Sequence, residues 1–415
     1  MLRYMLMIVT RIVCVVVLFA AILWSFRIAL ADHAFNNRHT LGGGRQAVRL
    51  MPNQALYSAE LANQLHDTDP EQAKKLLEHS LQINPYASAQ WIQLGLWYET
   101  ENDPDKAEKA LLRAASVDAT FMPSWSLANY YFRHGNEQQF WIWARKTLQM
   151  VPKDASPIFR LSWLTLNDAP LIRNKLDIHS PEIQVQYLSY ILGEGHIDAV
   201  GDTSLDLAGW NRKEDTNTLV GACNWLLDQN RPDAALAVWN ALAKNHQIVF
   251  PAVSPTAGLS VTNADFNTYP TSLGFDWHFF KLPGVAAFLN GAPPGLRIEF
   301  SGEQPETALV LTQTIPVVPD AEYRFTAEYS TSDIAPETGL IWQVEDLVSQ
   351  AQLATTKSLS SDTKSIVSVC FTALPETHFA RLSLRYQRSS GTSRIRGQLL
   401  LRRVVITPQM CTEKS

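Results

Sequence analysis

The sequence predicts a multidomain α and β protein: an N-terminal transmembrane helix, an α-solenoid of helical hairpins, then an all-β sandwich. Three observations carry this reading. Residues 12–26 read IVCVVVLFAAILWSF and hold no charge. Aromatic and small residues then recur every 34 positions. After about residue 248 the helical spacing stops, Pro and Gly become dense, and period-two alternation begins.

With 415 residues there is room for two or three domains, and 46% hydrophobic with 18% charged residues is an ordinary globular composition. The net charge of −5 gives no general reason to expect a nucleic-acid partner.

Together with MLMIVT before Arg11 and RIALA after the core, the apolar zone of residues 5–30 is long enough to cross a bilayer, which takes about 20 residues. Arg11 and Arg27 lie near the span ends, where long side chains snorkel. Arg3 and Arg11 precede the core and too little chain lies there for a domain, so the positive-inside rule favours N-in with the rest translocated. Arg27, Arg38, Arg45 and Arg49 follow the span and weaken that asymmetry. A cleaved signal peptide is the rival reading, since Ala29-Leu30-Ala31 before Asp32 fits an A-x-A site. Arg27 sits between core and site, where signal peptides rarely carry charge. Either way the bulk lies outside the cytoplasm, and with the anchor retained the expected location is the inner (cytoplasmic) membrane, single pass, N-in, with the bulk in the periplasm or outside the cell. Residues 1–31 are thus the anchor or signal, and 32–53, including Gly42-Gly43-Gly44-Arg45, a linker. Cys14 falls in the span, Cys223 on an apolar helical face, and Cys370 and Cys411 can pair in an oxidising compartment.

The repeat is read from Tyr57, Trp91, Trp125 and Phe159, each 34 apart (91 − 57, 125 − 91, 159 − 125). Ala73 and Ala107 keep the same step, as do Leu77 and Leu111. In residues 88–119, Trp91, Leu94, Gly95 and Tyr98 lie on a first helix and Ala107, Leu111 and Ala114 on a second. Gly95 and Ala107 let the two helices approach, while Asn102-Asp103-Pro104 ends one and starts the next. This unit resembles the tetratricopeptide repeat (TPR), over roughly residues 54–152. In the following unit Asn129 stands at the small-residue position of that register, and Phe140, Trp141 and Trp143 crowd the second helix, to pack on neighbouring units or line the groove. Helical patterns at 181–192, 219–227 and 231–243 extend the solenoid over 54–246. Such arrays present concave surfaces to other chains, so a protein partner in the solenoid groove is expected.

Within 250–408, Tyr323, Phe325, Ala327 and Tyr329 alternate with polar residues, as do Ala380, Leu382, Leu384 and Tyr386. Runs at 259–266, 296–300, 308–315, 339–344, 365–371 and 397–406 complete about eight strands, and 409–415 is a tail. Asn263, Phe266, Gly274 to Trp277, Gln313 to Pro319 and Tyr323 to Phe325 resemble the framework of galactose-binding-type jelly rolls, a fold shared by many carbohydrate-binding modules. The resemblance places Phe275 and Trp277 on one face of a core strand. It makes polysaccharide a possible partner, with Trp277, Trp342, Tyr329, Tyr386 and Phe279 as glycan-stacking candidates beside a reading in which they are core. The seven Arg of 381–403 read as cross-strand neutralisation or as a basic strip for an anionic polymer or headgroup.

Catalytic patterns are missing. There is no G-x-S-x-G, HExxH or Walker loop, the His are scattered, and nothing singles out Asp265, Asp276, Glu299 or Glu322 as a glycosidase pair. The sequence therefore predicts no catalytic residue, cofactor or metal. It predicts a non-enzymatic envelope scaffold that binds partner proteins through its repeats, within polysaccharide synthesis or export machinery, or alternatively a glycan-binding protein with the repeats as a stalk.

Overall fold

The computed structural model describes residues 2–36, 41–150, 153–360 and 363–410. The chain forms two compact units, Met1–Ile178 and His179–Ser415. Among the described residues, fourteen α-helices precede ten strands.

The first unit opens with α1 (Leu2–Asn36). Within Met7–Asn36 an 18-residue stretch has a mean hydropathy of 2.6, and the helix is long and apolar enough to cross a membrane. The expected linker departs from the sequence reading: Gly42–Arg45 belong to a helix, α2 (Leu41–Leu50). Small residues make that helix useful. Gly44 and Ala47 are its buried positions, and a Cβ at Gly44 would lie 2.8 Å from Gln64 Oε1 and 3.2 Å from Leu61 Cδ1. Tight packing against the next helix offsets the poor helix propensity of three glycines.

Hairpins follow: α3 (Ala55–Leu65) with α4 (Pro70–Ile83), α5 (Ser88–Thr100) with α6 (Pro104–Val117), α7 (Phe121–Arg133) with α8 (Glu137–Gln149), and α9 (Ser156–Thr165) with α10 (Ala169–Leu176). Each second helix starts on a capping side chain. Asp69, Asp103, Asn136 and Asp168 accept from the backbone N–H of Gln72, Lys106, Gln139 and Leu171. Asn102 takes φ 58° to reverse the chain ahead of Asp103 and Pro104.

Burial shifts the repeat register by one residue between α5 and α7. Leu94, Gly95 and Tyr98 are matched by Leu127, Ala128 and Tyr131, 33 apart (127 − 94, 128 − 95, 131 − 98). The small residue of α7 is therefore the fully buried Ala128 rather than Asn129, which is half-buried. Tyr98 and Tyr131 repeat one bond as well, donating to Glu78 and Glu108 of the preceding second helices. Phe140 and Trp141 are buried, packed on each other and on Phe132, while Trp143 is half-buried with Lys146 Nζ 4.0 Å above its ring.

The second unit begins with α11 (Pro181–Glu194), α12 (Ile197–Gly209), α13 (Thr216–Asp228) and α14 (Pro232–Lys244). The strands are β1 (His278–Phe279), β2 (Val285–Gly291), β3 (Pro294–Ser301), β4 (Thr307–Pro316), β5 (Glu322–Ser332), β6 (Leu340–Asp346), β7 (Gln352–Thr355), β8 (Ser365–Thr372), β9 (Phe379–Gln387) and β10 (Arg396–Pro408). They form two five-stranded sheets, ordered β1-β4-β9-β6-β7 and β2-β3-β10-β5-β8, with antiparallel pairing throughout. Alternate residues of both sheets fill one core, from Leu296, Ile298 and Phe300 to Leu382, Leu384 and Tyr386.

Several expectations for this unit fail. Residues 259–266 are an irregular segment rather than a strand, because Asn263 (φ 48°) and Phe266 (φ 51°) take left-handed backbone that no strand accommodates. Residues 274–277 likewise precede β1. Phe275 and Trp277 part company: Trp277 enters the sandwich core beside Phe266 and Trp342, whereas Phe275 lies against Trp239 of α14 and Phe379. The arginines do not make one strip either. Arg381 and Arg385 lie on β9 of the first sheet, Arg396, Arg402 and Arg403 on β10 of the second. Arg385, Arg388 and Arg403 pair with Glu345, Glu306 and Asp265 at 3.1–3.3 Å. Cys370 is disulfide-bonded, and its expected partner Cys411 lies outside the described residues.

Candidate functional site

In the first unit the framework residues take the places a hairpin repeat requires. Tyr57, Leu94, Gly95, Tyr98, Ala107, Leu111 and Ala114 are buried, and Trp91 and Trp125 half-buried. A Cβ at Gly95 would lie 2.8 Å from Leu111 Cγ and 3.2 Å from the Ala107 carbonyl, so glycine sets the helix separation. Tyr98 is held electrostatically: burial first, then its bond to Glu78, push its phenol up to about 12. Lys74 Nζ stands 4.8 Å from its ring centroid and Lys106 Nζ 5.5 Å.

Successive first helices are stitched to one another along one row. Gln93 on α5 donates to Asn63 on α3. Arg133 at the end of α7 clamps Glu99 of α5 with two bonds, Nε to Oε1 at 2.8 Å and Nη2 to Oε2 at 2.7 Å, and also donates to Asn129 Oδ1 at 2.9 Å. His66 stacks on Trp97 with centroids 4.2 Å apart. Between Gln93 and Glu99, at helical spacing, Leu96 is 42% exposed. The row therefore offers an apolar side chain flanked by carboxamides and a fixed ion pair. Such a set can take one apolar side chain of a peptide and hydrogen-bond its backbone. Sequence reasoning marked the framework and passed over this row, since Leu96, Glu99 and Arg133 carry no motif.

In the second unit the glycan-stacking candidates are core. Trp277 is 0% exposed, Trp342 1%, Tyr386 0% and Tyr329 7%, while Phe279 is half-buried against the same core. Trp277 and Trp342 pack edge to face at 5.8 Å, and the Tyr386 hydroxyl oxygen accepts from Ile395 N–H at 3.0 Å. A ring enclosed between two sheets has no face for a pyranose. Of the carboxylates considered, Asp265 pairs with Arg403 and Glu299 with Arg297 at 3.1 Å. Asp276 is fully buried, accepts from Thr271 N–H at 2.7 Å, and is held above the usual carboxylate range by desolvation. Among the described residues no three His, Cys, Asp or Glu side chains converge on a metal-sized site.

The segment of 249–268 instead forms one wall of a half-open pocket of about 510 Å³, closed on the other side by Arg403, Val405 and Thr407 of β10. Phe250 lines it and is stacked on Trp239 at 5.8 Å. The loop is pinned: Asn263 donates to the Thr268 carbonyl at 2.9 Å and accepts from Thr268 N–H at 3.3 Å. Its lining combines apolar Leu259, Val261 and Val405 with Asn267 and the Asp265–Arg403 pair.

No protein-family model and no curated protein matches the chain. Solved structures resemble parts of it. The type IV pilus biogenesis factor PilW is 14% identical, covering 45% of this chain and 93% of its own, with a TM-score of 0.31. YrrB, described as a TPR protein with an unusual peptide-binding site, is 11% identical, covering 50% and 93%, with a TM-score of 0.25. A CBM4 carbohydrate-binding module is 10% identical, covering 36% of this chain and all of its own, with a TM-score of 0.29.

Proposed function

We propose that the protein is a membrane-anchored, non-enzymatic scaffold that holds a partner protein on the first-helix row of its repeats. The observation that carries this reading is Leu96, exposed between Gln93–Asn63 on one side and Glu99–Arg133 on the other. Inter-repeat bonds preorganise those polar groups, so a partner need not order them. The anchor is α1, retained in the mature protein and placed N-in in the cytoplasmic membrane, with the repeats and the sandwich outside the cytoplasm. The disulfide of Cys370 supports an oxidising surrounding. Envelope polysaccharide assembly is the cellular setting proposed for the partner.

The test is site-specific photo-crosslinking in native membranes with full-length protein. A crosslinker at Leu96 is expected to give a discrete protein adduct, and one at Leu112, exposed on the second helix α6, is not. Equal labelling from both positions, or from neither, would overturn the reading.

A second reading, glycan binding by the sandwich, is favoured by the pocket beside β10, where Phe250 is held by Trp239 and carboxamide and charged groups share the lining.

A further inference from the structure

The long apolar helix does not end at the bilayer. At 1.5 Å per residue, the 30 residues of Met7–Asn36 reach about 45 Å, against a hydrocarbon core of about 30 Å. Its last turns are part of the folded unit. Ala31 is fully buried and Ala34 nearly so, in a cluster with Ala47 of α2 and Tyr57 of α3. Phe35 packs on Tyr57 at 4.8 Å, and Tyr57 donates to the carboxylate of Asp32.

Helix α2 then runs back towards the membrane. Arg27 Nε donates to the carbonyl of Leu50, the last residue of α2, so the end of α2 stands level with Arg27. With α1 crossing a bilayer, that level falls at its surface. It is where the uncharged stretch 12–26 ends, and the Arg27 guanidinium lies 5.9 Å from the ring of Trp24, an aromatic of the kind that sits at headgroup depth. The exposed side chains of this returning helix include Arg45 and Arg49, one turn apart on one face.

Charge along the chain is partitioned accordingly. Residues 1–59 carry six Arg (3, 11, 27, 38, 45, 49), no Lys and a single acid, Asp32, which is +5; Arg3 and Arg11 precede the span, so residues 27–59, on the side of the repeats, carry +3 (4 − 1). With −5 for the whole chain, residues 60–415 carry −10 (−5 − 5). The one acid of the foot is hydrogen-bonded by Tyr57. A basic segment folded back to headgroup level is complementary to a negatively charged bilayer surface.

We propose that Arg45 and Arg49 of α2, with Arg27, bind the phosphate of an anionic phospholipid on the side of the bilayer where the repeats lie, and so seat the first repeat on the membrane. This goes beyond the partner-protein reading and needs no partner, but it rests on α1 being retained as the anchor. The test uses full-length protein in nanodiscs containing equal phosphatidylcholine and phosphatidylglycerol, released for native mass spectrometry. Wild type is expected to retain phosphatidylglycerol in preference to phosphatidylcholine. Arg45→Gln with Arg49→Gln is expected to reduce that preference roughly fivefold per arginine, from about 1 kcal/mol each near a charged surface. The matched lysine variants keep most of it, and Arg113→Gln, on α6 and exposed, leaves it unchanged. Added inorganic phosphate does not displace the lipid if the bilayer supplies the ligand; displacement at millimolar phosphate would mean a free-phosphate site and would overturn the assignment to lipid. Equal retention of both lipids by wild type, or an unchanged preference in the double glutamine variant, would also overturn it.

Discussion

The phenolic hydroxyl of Tyr57, in the first repeat, donates to the carboxylate of Asp32, on the last turns of the long apolar helix α1. This bond and the alanine packing beside it make α1 and the repeats one folded piece. Tyr57→Phe keeps the ring and loses the bond, which costs about 1–2 kcal/mol for a charged acceptor. Thermal melting in detergent reads that loss. Burial first, then Asp32, push the Tyr57 phenol up to about 12. Its folded pKa lies above the unfolded one, so the stabilisation is complete below about pH 10 and fades as pH rises through about 12. Alkaline titration of absorbance should show a late-titrating phenol that disappears in the Phe variant.

Because Ala31 is enclosed by the fold, α1 is expected to stay on the mature protein. Mass spectrometry of protein purified from membranes should recover peptides from residues 12–26 attached to the rest. A mature N-terminus at Asp32 would refute the anchor. Labelling single cysteines in intact cells should find residue 5 protected and Tyr86, exposed on the repeats, accessible.

Gly274 has no room for a side chain. Its φ is +55°, and a Cβ would stand 2.5 Å from Trp239 Cζ3 and 2.7 Å from Cε3. Gly274→Ala is expected to destabilise the second unit by about 1–3 kcal/mol through overpacking, with added backbone strain. Trp239→Ala, emptying a fully enclosed site, should cost about 3–5 kcal/mol. Urea unfolding of the full chain measures both.

Asp276 is buried and desolvated, with its carboxyl raised above the ordinary range. The folded state therefore binds this proton more tightly than the unfolded one. Its contribution to stability is full below the unfolded pKa, about 3.9, and declines as pH rises through the raised folded value. Asp276→Asn should flatten that decline, since an amide oxygen still accepts from Thr271 N–H. Melting temperature against pH for the two proteins tests this; parallel curves would show that Asp276 ionises normally.

Arg133 and Glu99 join two repeats, yet Arg133 is 41% exposed, so the pair contributes less than about 1 kcal/mol. Arg133→Ala should leave the melting temperature nearly unchanged and weaken any crosslink formed from Leu96. A large fall in stability would reassign the pair to holding the repeats together.

The parts legible in the sequence are those where one residue type answers to one local constraint. Asp103-Pro104 reads as a helix start because the cap and the missing N–H are local, and Tyr323 to Tyr329 reads as a strand because one face is core. Gly42–Arg45 read as linker because glycine's propensity is local while its compensation, the approach of Leu61 and Gln64, comes from elsewhere in the chain. Trp277 and Tyr386 read as possible stacking surfaces because alternation identifies a buried face and an exposed one without saying which is which. The one-residue slip at Ala128 hides behind Trp125, whose size imitates the expected position. Leu96 and the Arg133–Glu99 clamp were invisible for a simpler reason: their significance lies in neighbours on other helices.

Phe275 touches Trp239 on one side and Phe379 on the other, which has a bearing on how this chain can be divided. The composition changes between 245 and 250, and a cut there looks natural on paper. It would pass through an aromatic cluster, leaving Phe275 and Phe379 facing water on one fragment and Trp239 on the other, both of them sticky surfaces. Gene fusion or shuffling that moves the sandwich intact must therefore carry α13 and α14 along with it. In that sense the final helical hairpin is inherited with the β-sheets, whatever its sequence shares with the repeats before it.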